Sequence, residues 1–261
     1  MSWALPPRVW MTRSEEPSSG FDATVTADVD TILVVAAEGR ELAGLIRRCE
    51  RLMRLPWPLR FARAGRLNGR SLVMVAGGAG PRLAGRAMET AGCYMKFDAL
   101  VSAGTCGALD PALSAGDVFV ATHVDAPGGG CYPARLPGCD RRHATGRLVS
   151  IDRVVRTAEE KRKLRKDGAG AVEMEACAVA VQAGKWDIPL FCIKAVLDES
   201  HEELLLDYNA ARDTDGRITT PHILAAAVRR PLRFGPELWK LRCRSRNAAA
   251  VLGDFLANCR F

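Results

Sequence analysis

The stretch Ala169–Ser200, AGAVEMEACAVAVQAGKWDIPLFCIKAVLDES, limits the architecture more than any other part of the chain. Ala176–Ala183 is small, apolar and helix-favouring, and Gly184 followed by Ile188-Pro189 predicts where that helix stops. Pro189–Leu197 is then a run of Leu, Phe, Cys, Ile, Ala and Val broken only by Lys194, the pattern of a strand covered on both faces. Carboxylates bracket this unit: Glu173 and Glu175 where the helix begins, Asp198 where the strand ends. An unpaired ion at the edge of a core costs roughly several kcal/mol. Ligands of open α/β sheets also bind outside the carboxyl ends of the strands. Singly, Glu173 and Glu175 read as acidic residues favouring a helix N-terminus, and Asp198 as a cap. As a set they read as a binding site.

The rest of the chain repeats the alternation of strand and helix. Met1–Val29 mixes Pro, Ser, Glu and Thr without a period and reads as a disordered leader, with residues 30–261 forming a single domain. Thr31–Ala37 is a strand-like apolar run. Glu38–Met53 carries Leu42, Leu45, Ile46, Cys49 and Met53 at helical spacing, with Glu41 in the first turn. Leu59–Arg66 and Ser71–Ala76 flank Asn68-Gly69, a hairpin signal. Ala76-Gly77-Gly78-Ala79-Gly80-Pro81 then opens a helix over Arg82–Met95; such a turn can aim backbone N–H groups at an anion, or serve only as a tight corner. Asp98–Ala103 predicts a strand running into Gly104-Thr105-Cys106-Gly107-Ala108-Leu109. Thr122–Arg147, rich in Gly, Pro, Cys and Arg, reads as a long loop over the site or at a subunit boundary. Leu148–Val155 is strand-like, and Thr157-Ala158-Glu159-Glu160 predicts a capped, strongly charged helix to about Lys166. Further helices are predicted from Thr219 to Arg230, after a turn at Thr214–Arg217, and over Pro236–Leu256.

Composition excludes several function classes. No apolar run reaches the roughly 18 residues that cross a bilayer, and no secretory signal pattern is present. The nine cysteines lack metal-ligand spacing and read as reduced thiols of a cytosolic protein; Cys131 and Cys139 are the one pair suited to redox or metal chemistry. The net charge of +7 is concentrated in Arg229, Arg230, Arg233, Lys240, Arg242, Arg244 and Arg246. Such a cluster is either a solvated helix face or an attraction to anionic lipid. No nucleic-acid motif accompanies it, so nucleic acid is not an expected partner.

Three ordered segments carry a family resemblance: Ala171-Val172-Glu173-Met174-Glu175-Ala176, the buried strand ending in Asp198, and Gly104–Leu109 with the Gly116-Asp117 strand after it. Together they resemble the purine nucleoside phosphorylase and methylthioadenosine/S-adenosylhomocysteine nucleosidase superfamily. The likeness implies a three-layer α/β/α fold with a mixed, partly closed central sheet, a homo-oligomer, and cleavage of a purine N-glycosidic bond. Asp198 would donate a proton to the leaving base, and Glu175 would accept from the ribose hydroxyls. Met174 would pack on the sugar, with Glu173 behind it. Glu41 would act as general base toward water, with Thr105, Gly78 and Gly80 orienting the nucleophile. No metal or redox cofactor is implied; phosphate is the alternative nucleophile. Ser102 stands where hexameric phosphorylases place a phosphate-binding arginine, which favours water, although Arg40, Arg63 or Arg82 remain as alternatives. Gly77 stands where the nucleosidases usually have serine, and Leu197 where serine often precedes the aspartate. Segments around Leu148–Ala176 and Leu204–Arg217 are similar to the hopanoid-associated branch. That branch implies adenosylhopane as substrate and a peripheral contact of the basic C-terminal region with the inner membrane. A nucleoside-binding protein without turnover is the non-enzymatic alternative.

Overall fold

A computed structural model describes residues 30–165, 168–213 and 231–261. The expected leader, the Thr214–Arg217 turn, the Thr219–Arg230 helix, and Arg229 and Arg230 lie outside the described residues.

The central strand β1 (Thr31–Ala36) is buried along its whole length because parallel partners flank it, β4 (Arg70–Ala76) on one side and β5 (Ala99–Ala108) on the other. Two-sided burial is why its sequence is a continuous apolar run rather than an alternating one. β3 (Phe61–Leu67) and β4 form the predicted hairpin. Asn68 and Gly69 take φ of 52° and 82°, the left-handed pair that a two-residue turn of this hand needs.

β5 decides the architecture. Its first half pairs with β1, its last residues pair antiparallel with β9 (Ala169–Glu173), and β10 (Leu190–Asp198) runs parallel along its other edge. β6 (Val118–Asp125) and β8 (Ala144–Ser150) complete the circuit, giving a closed ring β5-β9-β8-β6-β10. The open extension is β1-β4-β3-β2, with β2 (Glu50–Arg54) at the edge and β7 (Cys131–Pro133) paired to β6. The sheet is mixed and partly closed, as the family pattern implies.

Helices cover both faces. α2 (Pro81–Gly92) and α4 (Ala176–Trp186) bury Ala84, Ala87, Met88, Ala91, Val179 and Ala183 against one side. α1 (Ala43–Ile46) and α5 (Pro231–Ala257) cover the other with Leu45, Leu252 and Phe255. α1 and α5 touch at glycines: a Cβ on Gly44 would stand 2.0 Å from Ala249 O, and one on Gly253 2.1 Å from Gly44 C. α3 (Ala158–Leu164) carries the predicted capping box, Thr157 with Glu160.

Four expectations need correction. The helix over Glu38–Met53 is one turn, α1, reached through i→i−3 bonds at Glu41, Leu42 and Ala43. The chain after it becomes β2, because β3 offers an open edge; Met53 is exposed there, as is Leu52, so the place of Met53 in the helical spacing carried no core signal. β5 does not end at Ala103 but runs through the glycine-containing segment to Ala108. Much of the supposed loop Thr122–Arg147 is strand: the end of β6, all of β7 and the start of β8. Finally, α4 passes Gly184 and stops at Asp187, whose φ of 53° is the left-handed cap.

Candidate active site

The carboxylates singled out in the sequence converge where β1, β4 and β10 end and β5 bends into the ring. Glu41 follows β1 and is 8% exposed. Its Oε1 accepts from Thr105 N at 3.0 Å and Thr105 Oγ1 at 2.8 Å, and its Oε2 from Glu38 N at 3.0 Å. Gly104, at φ 131°, lets β5 pass this close: a Cβ there would be 3.1 Å from Glu41 Oε1. The Glu41–Thr105 contact joins two residues that sequence reasoning could only assign separately.

Glu175 is the N-cap residue of α4, and its Oε1 accepts from Gly80 N at 2.7 Å, linking the glycine turn after β4 to the β9–α4 junction. Burial first, and then the charges of Glu173 and Glu41, push its carboxyl up to about 8, against the opposing pull of Lys194 and the Gly80 amide. Met174 is buried between the two glutamates. The Gly78 amide is committed to Ala37 O at 2.9 Å and that of Gly80 to Glu175. The glycine turn therefore acts here by holding Glu175 and the end of β1, and not by aiming these two amides at a nucleophile. A Cβ on Gly77 would lie 2.4 Å from Leu83 O, so no serine fits there without moving α2.

Glu173 has a different solution to burial. Its carboxylate accepts from Glu175 N and Ala176 N at 2.9–3.0 Å and pairs with Lys194 Nζ at 2.8 Å, both side chains being almost fully buried. Burial alone would raise Glu173, but Lys194, with hydrogen bonds from Ser150 and the Ala176 amide, more than offsets it and holds the carboxyl below its usual range. Burial would likewise lower Lys194, and Glu173 raises it instead. The single break in the apolar run of β10 is thus the counter-ion of the site's second glutamate. The interruption itself was visible in the sequence; its partner was not.

Asp198, 8% exposed, ends β10 beside Gly107 of β5. Burial raises its carboxyl, opposed by Lys161, whose Nζ lies 2.5 Å from Oδ2. Lys161 was missed: it sits in a helix that the sequence marks only as strongly charged, yet it is 1% exposed, because α3 turns that face inward. The turn after Asp198 is fastened from α5, where Lys240 and Arg244 both bond Glu202. Burial would raise Glu202, but those bonds outweigh it and hold the carboxyl at about 2. Part of the C-terminal basic cluster therefore serves the site from behind, while Trp239 on the same helix is 71% exposed.

Ser102 is fully buried in β5, and Arg63 lies over the Phe61 ring, 5.6 Å from its centroid. The two suspected thiols have different neighbours: Cys131 lies beside Arg147, and Cys139 beside Cys259. Among the described residues no group of His, Cys, Asp and Glu could hold a metal ion, and no helix is long and apolar enough to cross a membrane.

The family model described as the phosphorylase superfamily matches residues 31–138 and 134–229. The chain belongs to the phosphorylase superfamily. Among curated relatives, a 5′-methylthioadenosine/S-adenosylhomocysteine nucleosidase of Staphylococcus aureus is 28% identical over 176 residues, 56% of this chain and 76% of that protein. The Staphylococcus epidermidis nucleosidase of the same name is 27% identical over 164 residues, 51% of this chain and 71% of that protein. Among solved structures, the Neisseria meningitidis nucleosidase in complex with methylthio-immucillin-A superimposes with a TM-score of 0.66 at 20% identity. That match covers 88% of this chain and 98% of the other. The Colwellia psychrerythraea nucleosidase in complex with adenine gives 0.66 at 17% identity, covering 88% and 94%. These structures establish the shared fold of this superfamily member.

Proposed function

We propose that this protein hydrolyses the N-glycosidic bond of an adenine nucleoside of the 5′-methylthioadenosine or S-adenosylhomocysteine type, releasing adenine. The observation that carries the reading is Glu41, buried and held by the amide and hydroxyl of Thr105, close enough to Glu175 for its charge to act there. Bond cleavage needs a leaving base that departs neutral, a stabilised ribosyl cation and an activated nucleophile. Asp198, raised by burial, supplies the proton to the purine. Glu175 accepts from the ribose hydroxyls, with Met174 against the sugar and Glu173 fixing the start of α4. Glu41 takes the proton of the attacking water, which Thr105 helps to orient. No metal or redox cofactor enters these steps, and the names of the similar nucleosidases support both the base and the 5′-substituent. We include a homo-oligomer in the proposal, to be checked by sedimentation.

The test is release of adenine from 5′-methylthioadenosine, S-adenosylhomocysteine and adenosine, each with and without phosphate, with D198N as control. Adenine freed without phosphate and lost in D198N supports the reading; release only with phosphate replaces it with phosphorolysis. A second reading, adenosylhopane bound at a membrane surface, draws on Trp239 exposed on the basic helix. It requires adenine release from the lipid-linked nucleoside alone. Binding without release from any substrate would leave a nucleoside-binding protein.

A further inference from the structure

Lys161 has a saturated set of partners that solvent contact does not explain. Its Nζ donates to Asp198 Oδ2 at 2.5 Å, Glu199 O at 2.6 Å and Glu202 O at 3.1 Å. An ammonium has three donors, and all of them are used. The neighbouring Arg162 and Lys163 are exposed, so burial singles out one position of an otherwise wet helix. β5 also leaves Asp198 little room: a Cβ on Gly107 would be 3.2 Å from Oδ2 and 3.5 Å from Oδ1.

We propose that Lys161 is the positioning residue for Asp198, holding Oδ2 so that Oδ1 is the oxygen presented to the purine. The inference rests on the role given to Asp198 above. A lysine serving only to tie the turn would need the two carbonyls; here the shortest of its three bonds goes to the carboxylate. The arrangement also tunes the acid. The groups facing Asp198 are Lys161 from α3, Glu202 from the following turn, Arg244 from α5 and Cys106 from β5. Burial favours the protonated carboxyl, and Lys161 is the largest opposing influence. The protonated form stays accessible, yet the acid is stronger than burial alone would leave it. Removing the cation lets the carboxyl rise further, so Asp198 holds its proton to higher pH and gives it up less readily.

The test uses K161M, K161Q and K161R in the full chain, with kcat and KM for adenine release measured across pH. K161M and K161Q should lose about 10- to 100-fold in kcat with little change in KM, a part of the about 10²–10⁴ that a positioned acid supplies. Their alkaline limb should move up by about one pH unit or more. K161R keeps the charge and should keep the limb near its wild-type place. K161Q also guards against misfolding, since its amide can still donate to the carbonyls while lacking the charge. Carbon NMR of the Asp198 carboxyl in wild type and K161Q gives the same shift without any turnover. It therefore still decides the point if no nucleoside proves to be cleaved, an outcome that would fail the functional reading alone. An unmoved limb and unmoved carboxyl titration in K161M and K161Q, with only a lower Tm, would overturn the proposal and leave Lys161 a structural tie.

Discussion

Glu175→Gln isolates the most strained ionisation in the site. The wild-type carboxyl is buried, accepts a single 2.7 Å bond from Gly80 N, and lies near the charges of Glu173 and Glu41; together these raise it from 4.5 to about 8. A carboxyl raised on folding means that the native state binds more protons than the unfolded chain between those two values. Its favourable contribution is fully present below about 4.5 and is lost as pH rises through about 8. At about 1.4 kcal/mol per pH unit the full span corresponds to about 5 kcal/mol. Sharing of charge with Glu173 and Lys194 makes about 2–5 kcal/mol the expected loss. Glutamine keeps the Gly80 bond through its carbonyl oxygen and cannot ionise. Urea unfolding at intervals from pH 5 to 8.5 should therefore show wild type weakening relative to E175Q as pH rises, with the variant the more stable at the alkaline end. Taking the difference between the two proteins cancels the thiols and other groups they share. Base release should fall in E175Q, because an amide cannot give up a proton to become the anion that two ribose hydroxyls and a developing ribosyl cation call for. Parallel stability curves would refute the argument, since they would mean that Glu175 has the same proton affinity folded and unfolded.

Other perturbations have equally direct outcomes. Glu41→Gln keeps an acceptor for Thr105 but loses the one for Glu38 N and cannot take a proton; kcat should fall by about 10²–10⁴ at a stability loss of about 1–3 kcal/mol, measured by adenine release and urea unfolding. Lys194→Met leaves Glu173 buried without its counter-ion and should destabilise by about 3–5 kcal/mol in urea unfolding. Gly77→Ser, which places a Cβ 2.4 Å from Leu83 O, should lose roughly 1–3 kcal/mol and gain no activity, although it supplies the serine that the family resemblance implies there.

What the sequence reveals of this fold follows from how local each signal is. β1 and β10 are legible because two-sided burial leaves a continuous apolar run, and the β3–β4 hairpin because Asn68-Gly69 is a two-residue instruction. β2 is not legible: it is an exposed edge strand whose existence depends on β3 having a free side, and its apolar residues share the spacing of a helix. β6–β8 is hidden for a related reason, since the glycines and prolines between the strands mark the connections and not the pairing. The same distinction divides the site. Glu41, Glu175 and Asp198 stand at the ends of predictable elements, so a family pattern could find them. Lys161 and Lys194 matter only because of residues 37 and 21 positions away, and nothing in their own neighbourhoods announces a partner.

The four carboxylates also show why one buried cluster can hold several roles. Each needs relief from burial, and each receives a different kind. Glu173 is fully ion-paired to Lys194 and spends its remaining capacity on the amides at the start of α4, which suits a support and leaves little for substrate. Glu41 is met by two amides and a hydroxyl and, among the described residues, by no ion-paired cation, which suits the group assigned to take a proton from water. Asp198 has Lys161 on one oxygen, which opposes the upward push of burial without cancelling it. Glu175 has a single amide and two carboxylate neighbours, so it holds its proton to about pH 8 until hydroxyl donors or a developing positive charge arrive. A ribosyl cation is the charge that would complete this set: the least compensated carboxylate is the one assigned to the sugar. The distribution of counter-charges follows the same division of labour that the N-glycosidic reaction requires.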